Sequence, residues 1–137
     1  MKTVIVDLDG TLALKGDRDP YDASRAMEDE ANKPICELVE KLHIWHYEVV
    51  FVSGRFEVAR EITEDWISAH TSIFRPKLFL RADGDKRKDA IVKREIYEKE
   101  IKPNFPPVLF VLDDRDQCVK MWREIGLTCL QVAEGAF

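Results

Sequence analysis

Two carboxylates stand two residues apart in the run Asp7-Leu8-Asp9-Gly10-Thr11, directly after the apolar stretch Val4-Ile5-Val6. A second acidic pair, Asp113-Asp114, follows another apolar stretch, Val108 to Leu112. Carboxylates brought together from two strand ends repel each other unless a cation lies between them, and Mg²⁺ takes oxygen ligands of this kind. Asp7 is then the candidate nucleophile: a carboxylate can attack phosphorus and form an aspartyl-phosphate, dividing one hard displacement into two. Asp9 is the candidate acid–base residue, protonating the leaving oxygen and later activating water. Gly10 lets the chain turn tightly, and nearby N–H groups can face a phosphate. In the second pair Asp114 is the expected direct metal ligand, with Asp113 acting through water or hydrogen bonds. Asp116 reads as a helix cap.

Ser53-Gly54-Arg55 follows the apolar stretch Val49-Val50-Phe51-Val52. A hydroxyl there can donate to a phosphate oxygen, helped by N–H groups at the start of a helix. The plainer account of Ser53 is an N-cap, and Arg55 either holds substrate or pairs with an acid. Gly84-Asp85-Lys86-Arg87-Lys88-Asp89 opens a further helix. One lysine here is expected to reach the phosphate and balance the carboxylates around the nucleophile. Lys88 is the first choice and Lys93, about a turn and a half later, the second; Lys86 and Arg87 read as a solvated helix start. His43, His46 and His70 fall on or near helices, away from strand ends, and read as surface or packing residues. Trp45, Trp66 and Trp122 sit at helical apolar spacing and read as core, and the three cysteines read as packing.

The elements that must hold these residues alternate between strand and helix patterns, which points to a parallel sheet with helices on both faces. Strands are expected near Thr3–Val6, Glu48–Val52, Lys77–Leu80, Val108–Leu112 and Thr128–Val132. Ile35, Leu38, Val39, Leu42 and Trp45 follow helical spacing, with Pro34 in the first turn, where its missing N–H does no harm. Val58, Ala59, Ile62 and Trp66 mark a second helix. Val92, Ile96 and Tyr97 mark a third, stopped by Pro103. Cys118, Met121, Trp122 and Ile125 mark a fourth, with Gly126 as its C-cap. The fold class expected is α/β: one doubly wound, Rossmann-like parallel sheet of about five strands flanked by helices, with residues 1–137 forming a single domain. The two dozen residues between Thr11 and Pro34 are polar and turn-rich (LKGDRDPYD) and suit a flap or short hairpin, not a covering domain. An open site suits a large substrate, because a small metabolite needs more of its surface enclosed.

The chain has 137 residues, 45% hydrophobic and 34% charged, with a net charge of −5; it can bury a real core, and its charge does not suit a general coat for nucleic acid. Recognition of one nucleic-acid end by a local basic cluster is compatible with that charge. No apolar run approaches the ~20 residues of a membrane span. The N-terminus runs straight into a strand pattern, so a signal peptide is not expected. Cys36, Cys118 and Cys129 are odd in number and lack CxxC spacing, so a reducing, cytoplasmic setting is expected.

DLDGT, SGR after the second sheet strand, the lysine of GDKRKD and the closing DD, in this order, resemble the haloacid dehalogenase-like phosphohydrolases over the whole chain. A narrower resemblance lies in GDRDPYD, VVFVSGR, GDKRKDAIVKREIYEKEI and FVLDDRDQCVKMWREIGLTCLQVAEGAF. These look like the 3′-phosphatase domain of bacteriophage-type polynucleotide kinase–phosphatases. The resemblance implies a Mg²⁺-dependent phosphatase that removes 3′-phosphates from DNA or RNA ends through an aspartyl-phosphate; the short inserts leave room for no sizeable cap domain. It implies Asp7 as nucleophile, Asp9 as acid–base residue, and Ser53 and Lys88 as holders of the phosphoryl group. It also implies Mg²⁺ on Asp7, the Asp9 carbonyl and Asp114, with Asp113 in support. Arg18, Arg55 and Arg81 match arginines that serve the substrate in that family, and Asp85 matches a family acid. The best-known members of that family also carry a 5′-kinase with a GxxxxGK[ST] loop, which this sequence does not contain. A fused or separate kinase or ligase partner is therefore the form in which such chemistry would accompany it; a membrane is not expected.

Three other readings compete. One is a phosphatase for small nucleotides or other phosphomonoesters. A second is a receiver-like module phosphorylated on aspartate. The last is a silent end-binding domain. Asp9 separates hydrolase from receiver, since a hydrolase needs a second carboxylate two residues beyond its nucleophile.

Overall fold

Val4, Val6, Val49, Phe51 and Leu112 pack on one side of a sheet, while Ile5, Val50, Val52 and Val111 pack on the other. This is the two-residue alternation of strands, and because both faces are covered the strands read as unbroken apolar runs. The computed structural model describes residues 1–14, 16–19 and 22–137, with Ala23 described by its backbone alone. Lys15, Pro20 and Tyr21, part of the polar stretch read as a flap, lie outside the described residues. The elements in chain order are β1 (Thr3–Val6), β2 (Ala13–Leu14), β3 (Glu30–Ala31), α1 (Lys33–Ile44), β4 (Glu48–Phe56), α2 (Arg60–His70), β5 (Lys77–Arg81), α3 (Asp89–Ile96), β6 (Val108–Asp113), α4 (Asp116–Glu124) and β7 (Cys129–Gln131). Five strands form one sheet in the order β5-β4-β1-β6-β7, and every pairing in it is parallel.

Val39 and Leu42 of α1 and Trp66 and Ile67 of α2 fill the first face of the sheet. Cys118, Val119, Met121 and Trp122 of α4, with Ile101, fill the second. The chain steps outward from β1 through β4 to β5, then returns to lay β6 on the other side of β1. The strand order therefore reverses between β1 and β6, and the crevice beyond the carboxyl ends there is where open α/β sheets bind ligands. Asp7 follows β1 and donates its N–H to the Leu112 carbonyl at 2.9 Å; Asp113 ends β6.

Between β1 and α1 the expected flap is a two-stranded antiparallel ribbon, with Ala13 of β2 opposite Ala31 of β3. A 3₁₀ stretch, Ala23–Glu28, joins its arms, capped by the Asp22 carboxylate accepting from the Ser24 N–H at 3.0 Å. The Trp66 indole N–H donates to the Asp29 carbonyl at 3.0 Å and ties the ribbon to α2. Among the described residues no helix is long and apolar enough to cross a membrane.

Several local expectations are corrected. Trp45 is not core: it follows the last residue of α1 and is 64% exposed, because the buried stripe of that helix runs through Cys36, Val39 and Leu42. Val58 is exposed in a short 3₁₀ turn before α2, where only Ala59 turns inward. Ser53 caps no helix, because β4 continues through it to Phe56 and pairs there with Arg81 of β5. Asp116 is the first residue of α4 and not its cap; its carboxylate accepts from the Gln131 amide at 2.7 Å. The end of α4 is as expected: Gly126 N–H donates to the Arg123 carbonyl and Leu127 N–H to that of Trp122, the paired bonds of a Schellman close.

Candidate active site

The first carboxylate beyond β1 is almost fully buried, and a lysine from another element compensates it. Lys93, in the second turn of α3, donates to Asp7 Oδ1 at 2.8 Å and to Asp113 Oδ2 at 2.9 Å. Thr11 donates its hydroxyl to Asp7 Oδ2 at 3.1 Å and stands 3.3 Å from Asp114 Oδ1. Burial, then the neighbouring Asp113 carboxylate, pushes the Asp7 carboxyl well above its usual range against the pull of Lys93. Burial raises Asp114 as well. Burial would lower Lys93, but Asp113 and Asp7 hold it well above the ordinary lysine value.

Asp113 has both oxygens committed to protein donors. Oδ1 accepts from the backbone N–H groups of Asp114 and Arg115, at 2.8 and 3.3 Å, and Oδ2 accepts from Lys93 and from the Trp122 indole at 3.1 Å. Its part is to fix the loop and the lysine. Asp7, Asp113 and Asp114 nevertheless each offer an oxygen within 4.8 Å of the others, and Lys93 brings one positive charge against three negative ones. Buried charges need partners, so this donor set fits a hard divalent cation held by Asp7 and Asp114. The approach is close enough to need glycine: Gly10 sits at φ +86°, and a Cβ on it would lie 2.1 Å from Asp114 Oδ2.

Asp9 faces two arginines. Arg55 Nη2 donates to Asp9 Oδ1 at 2.7 Å and Nε to Oδ2 at 3.0 Å, while Arg18 Nη2 reaches Oδ1 at 3.4 Å. Both guanidinium groups converge on Asp29, which immediately precedes β3: Arg18 binds it through Nε and Nη2 at 2.7 Å each, and Arg55 through Nη2 at 3.0 Å. Arg55 also donates to the Thr63 hydroxyl at 3.0 Å. Of the two readings of Arg55, pairing with an acid is the one the geometry shows. Ser53 is buried beside it, its hydroxyl accepting from the Arg55 N–H at 3.1 Å.

Arg81 does not join the other two arginines at Asp9 and Asp29. It is 3% exposed and donates to the carbonyls of Gly54 (2.7 Å), Asp85 (3.0 Å) and Arg87 (2.7 Å) and to the Asp89 carboxylate. A guanidinium with four partners inside the fold shapes the loop before α3. Asp85 is likewise turned away: its carboxylate accepts from Arg87, which holds it down at about 2. Asp89, not Asp85, is the acid that faces the cavity, between Arg81 and Arg115, with Arg115 Nη1 at 2.6 Å. Lys88 stays exposed at the cap of α3 and is not brought to Asp7; Lys93 is. The reason is helical geometry. Asp89 and Lys93 are four residues apart and share one face of α3, turned to the strand ends, whereas Lys88 precedes the first turn. That spacing, DAIVK, was the signal available for both. Asp29 had none, since its partners lie 11 and 26 residues away.

Asp7, Asp9, Gly54, Arg55, Lys93 and Asp114 open into a cavity of about 490 Å³, a size ordinary for ligand sites. The family model described as the polynucleotide kinase PNKP phosphatase domain matches residues 1–137. A protein of Autographa californica nuclear polyhedrosis virus, carrying the name of a bifunctional polynucleotide kinase/RNA ligase, is 35% identical over 128 residues, covering 92% of this chain and 18% of the viral one. A chain of the Pnkp1/Rnl/Hen1 RNA repair complex superposes with a TM-score of 0.93 at 42% identity, over 99% of this chain and 43% of its own length. A second structure of a Pnkp1/Rnl/Hen1 complex gives 0.92 at 42% identity, over 99% of this chain and 47% of that one. The chain thus spans less than half the length of each of these relatives.

Proposed function

The chain belongs to the family of polynucleotide kinase PNKP phosphatase domains, and from that premise we propose that residues 1–137 form one phosphatase domain that removes the 3′-phosphate from DNA or RNA ends, with Mg²⁺. The observation that carries this reading is the pairing of two unlike carboxylates at one cavity. Asp7 is buried, fixed by Lys93 and set among acids; Asp9 is a third exposed and faces the same space.

In this reading Asp7 attacks phosphorus, and the bond from phosphorus to the 3′-oxygen breaks. Asp9, turned from Arg55 and carrying the proton taken from the hydrolytic water of the preceding turnover, gives it to that oxygen, is left as a carboxylate, and then takes a proton from the water that hydrolyses the aspartyl-phosphate. Arg18 and Arg55, steadied by Asp29, receive the Asp9 carboxylate between these steps. Lys93 holds Asp7 in place and offsets charge on the phosphoryl oxygens, to which the Ser53 hydroxyl, next to Arg55, would donate. Mg²⁺ held by Asp7 and Asp114 would neutralise the phosphate and orient the attack. Lys88, Arg81 and Asp85 have no part in these steps.

The relatives' association with ligase and repair proteins supports a setting in which a kinase or ligase works beside this domain. The test is phosphate release from a 3′-phosphorylated oligonucleotide, its 5′-phosphorylated isomer and a free 3′-nucleotide, each with Mg²⁺ and with EDTA. Release from the 3′-phosphorylated oligonucleotide alone, abolished by EDTA and by Asp7→Asn, is the expected result. Equal efficiency on the free nucleotide would instead assign a small-molecule phosphatase.

A further inference from the structure

An exposed aromatic ring stands at the mouth of the phosphate cavity, and its position is fixed by the same loop that carries Asp114. Phe137 is 67% exposed and lines the cavity together with Asp7, Asp9 and Lys93. Its carbonyl accepts from Arg115 Nε at 2.8 Å, and the Arg115 guanidinium lies over its ring at 5.3 Å. Arg115 is itself anchored on Asp89. The segment leading to the ring is pinned too. Gln131 donates to the Asp114 carbonyl at 3.0 Å, and the Gly135 carbonyl accepts from Asp116 N–H at 2.8 Å. A Cβ on Gly135 would lie 1.9 Å from the Asp114 carbonyl oxygen, so the segment rests directly on the metal-site loop. Leu14, 40% exposed on β2, adds a second apolar lining to the same cavity.

A large apolar ring lining the edge of a charged pocket offers a flat face on which a planar base can stack. A cation over an aromatic face also fixes the ring's attitude. We propose that Phe137 is a stacking platform for the base of the terminal nucleotide, and that it makes the site select nucleic-acid ends over abasic phosphoesters. The proposal rests on the 3′-end reading above, in which the phosphate held at Asp7 is joined to a sugar whose base must lie outside the phosphate pocket. Stacking asks nothing of base identity, since every base has a π-face. The platform therefore accepts all four bases and rejects a missing one.

The test compares wild type, Phe137→Ala and Phe137→Trp on a 3′-phosphorylated oligonucleotide and on the same oligonucleotide with an abasic last residue. Alanine should raise KM for the base-bearing end about 5- to 100-fold, with kcat held within about twofold. The ratio of kcat/KM between the two ends should collapse toward one, and tryptophan should restore it. In the Asp7→Asn protein, 2-aminopurine at the last position should be quenched on binding, and Phe137→Ala added to it should remove that quenching. Equal losses on both ends, no loss on either, or unquenched 2-aminopurine at saturation would overturn the platform. Wild type that hydrolyses both ends equally well defeats the platform while leaving the 3′-phosphatase reading intact. Wild type that hydrolyses neither, yet releases phosphate from glycerol phosphate, defeats that reading and the platform with it.

Discussion

Lys93 holds oxygens of two carboxylates that come from different strands, so removing its charge leaves both uncompensated in a buried place. Breaking a buried ion pair at one partner costs about 3–5 kcal/mol, and losing a positioned donor costs about 10²–10³ in rate. Lys93→Ala should therefore lower both the melting temperature and kcat by these measures, while Lys88→Ala, on an exposed cap, should leave both near wild type. Steady-state kinetics and thermal melts of the two variants check this. The thiols are a second residue-scale case. Burial pushes Cys118 and Cys129 up to about 12 and raises Cys36 as well. Since the thiolate is the reactive form, it is scarce below the raised value. The folded protein should resist iodoacetamide at pH 8, and denatured protein should take up three labels. At this scale the acids at the ends of β1 and β6 were legible in sequence, because a carboxylate directly after an apolar run has few other uses. The choice between Lys88 and Lys93 was not, because it turned on where the first turn of α3 begins.

The β2–β3 ribbon is short, yet it delivers Asp29 to the two arginines that hold Asp9, and Trp66 of α2 anchors that same residue by its carbonyl. Asp29→Ala would leave Arg18 and Arg55 buried with only the part-exposed Asp9 as a shared carboxylate. The expected outcome is a loss of about 3–5 kcal/mol in stability, measured by urea unfolding, together with lower kcat. Metal affinity should be nearly unchanged, since Asp29 touches neither Asp7 nor Asp114. The sheet strands could be read from sequence because burial on both faces leaves long apolar runs. The ribbon could be expected only as a flap: two-residue strands carry no periodicity, and the ion pairs that hold them close over distances that no local pattern encodes. The same limit explains Trp45, whose spacing fits the α1 stripe although the helix ends one residue earlier.

For the molecule as a whole, the acid cluster should couple stability to divalent cations. A ligand that binds only the folded state adds about 2.7 kcal/mol at a hundred times its dissociation constant. Mg²⁺ should therefore raise the melting temperature by several degrees, and Asp114→Asn should abolish the rise. A melt unmoved by Mg²⁺ up to 10 mM would deny the site its metal. The strand order has a different consequence, for how the protein comes into being. The ribosome makes Asp7 first, yet Lys93 lies 86 residues further on and Asp114 is separated from Thr11 by 103. Parallel pairings this far apart in sequence form late. Early in synthesis Asp7 has neither Lys93 nor Asp114 beside it. On the proposed chemistry the emerging polypeptide is inert until β6 lies down beside β1, so competence is expected only late in folding.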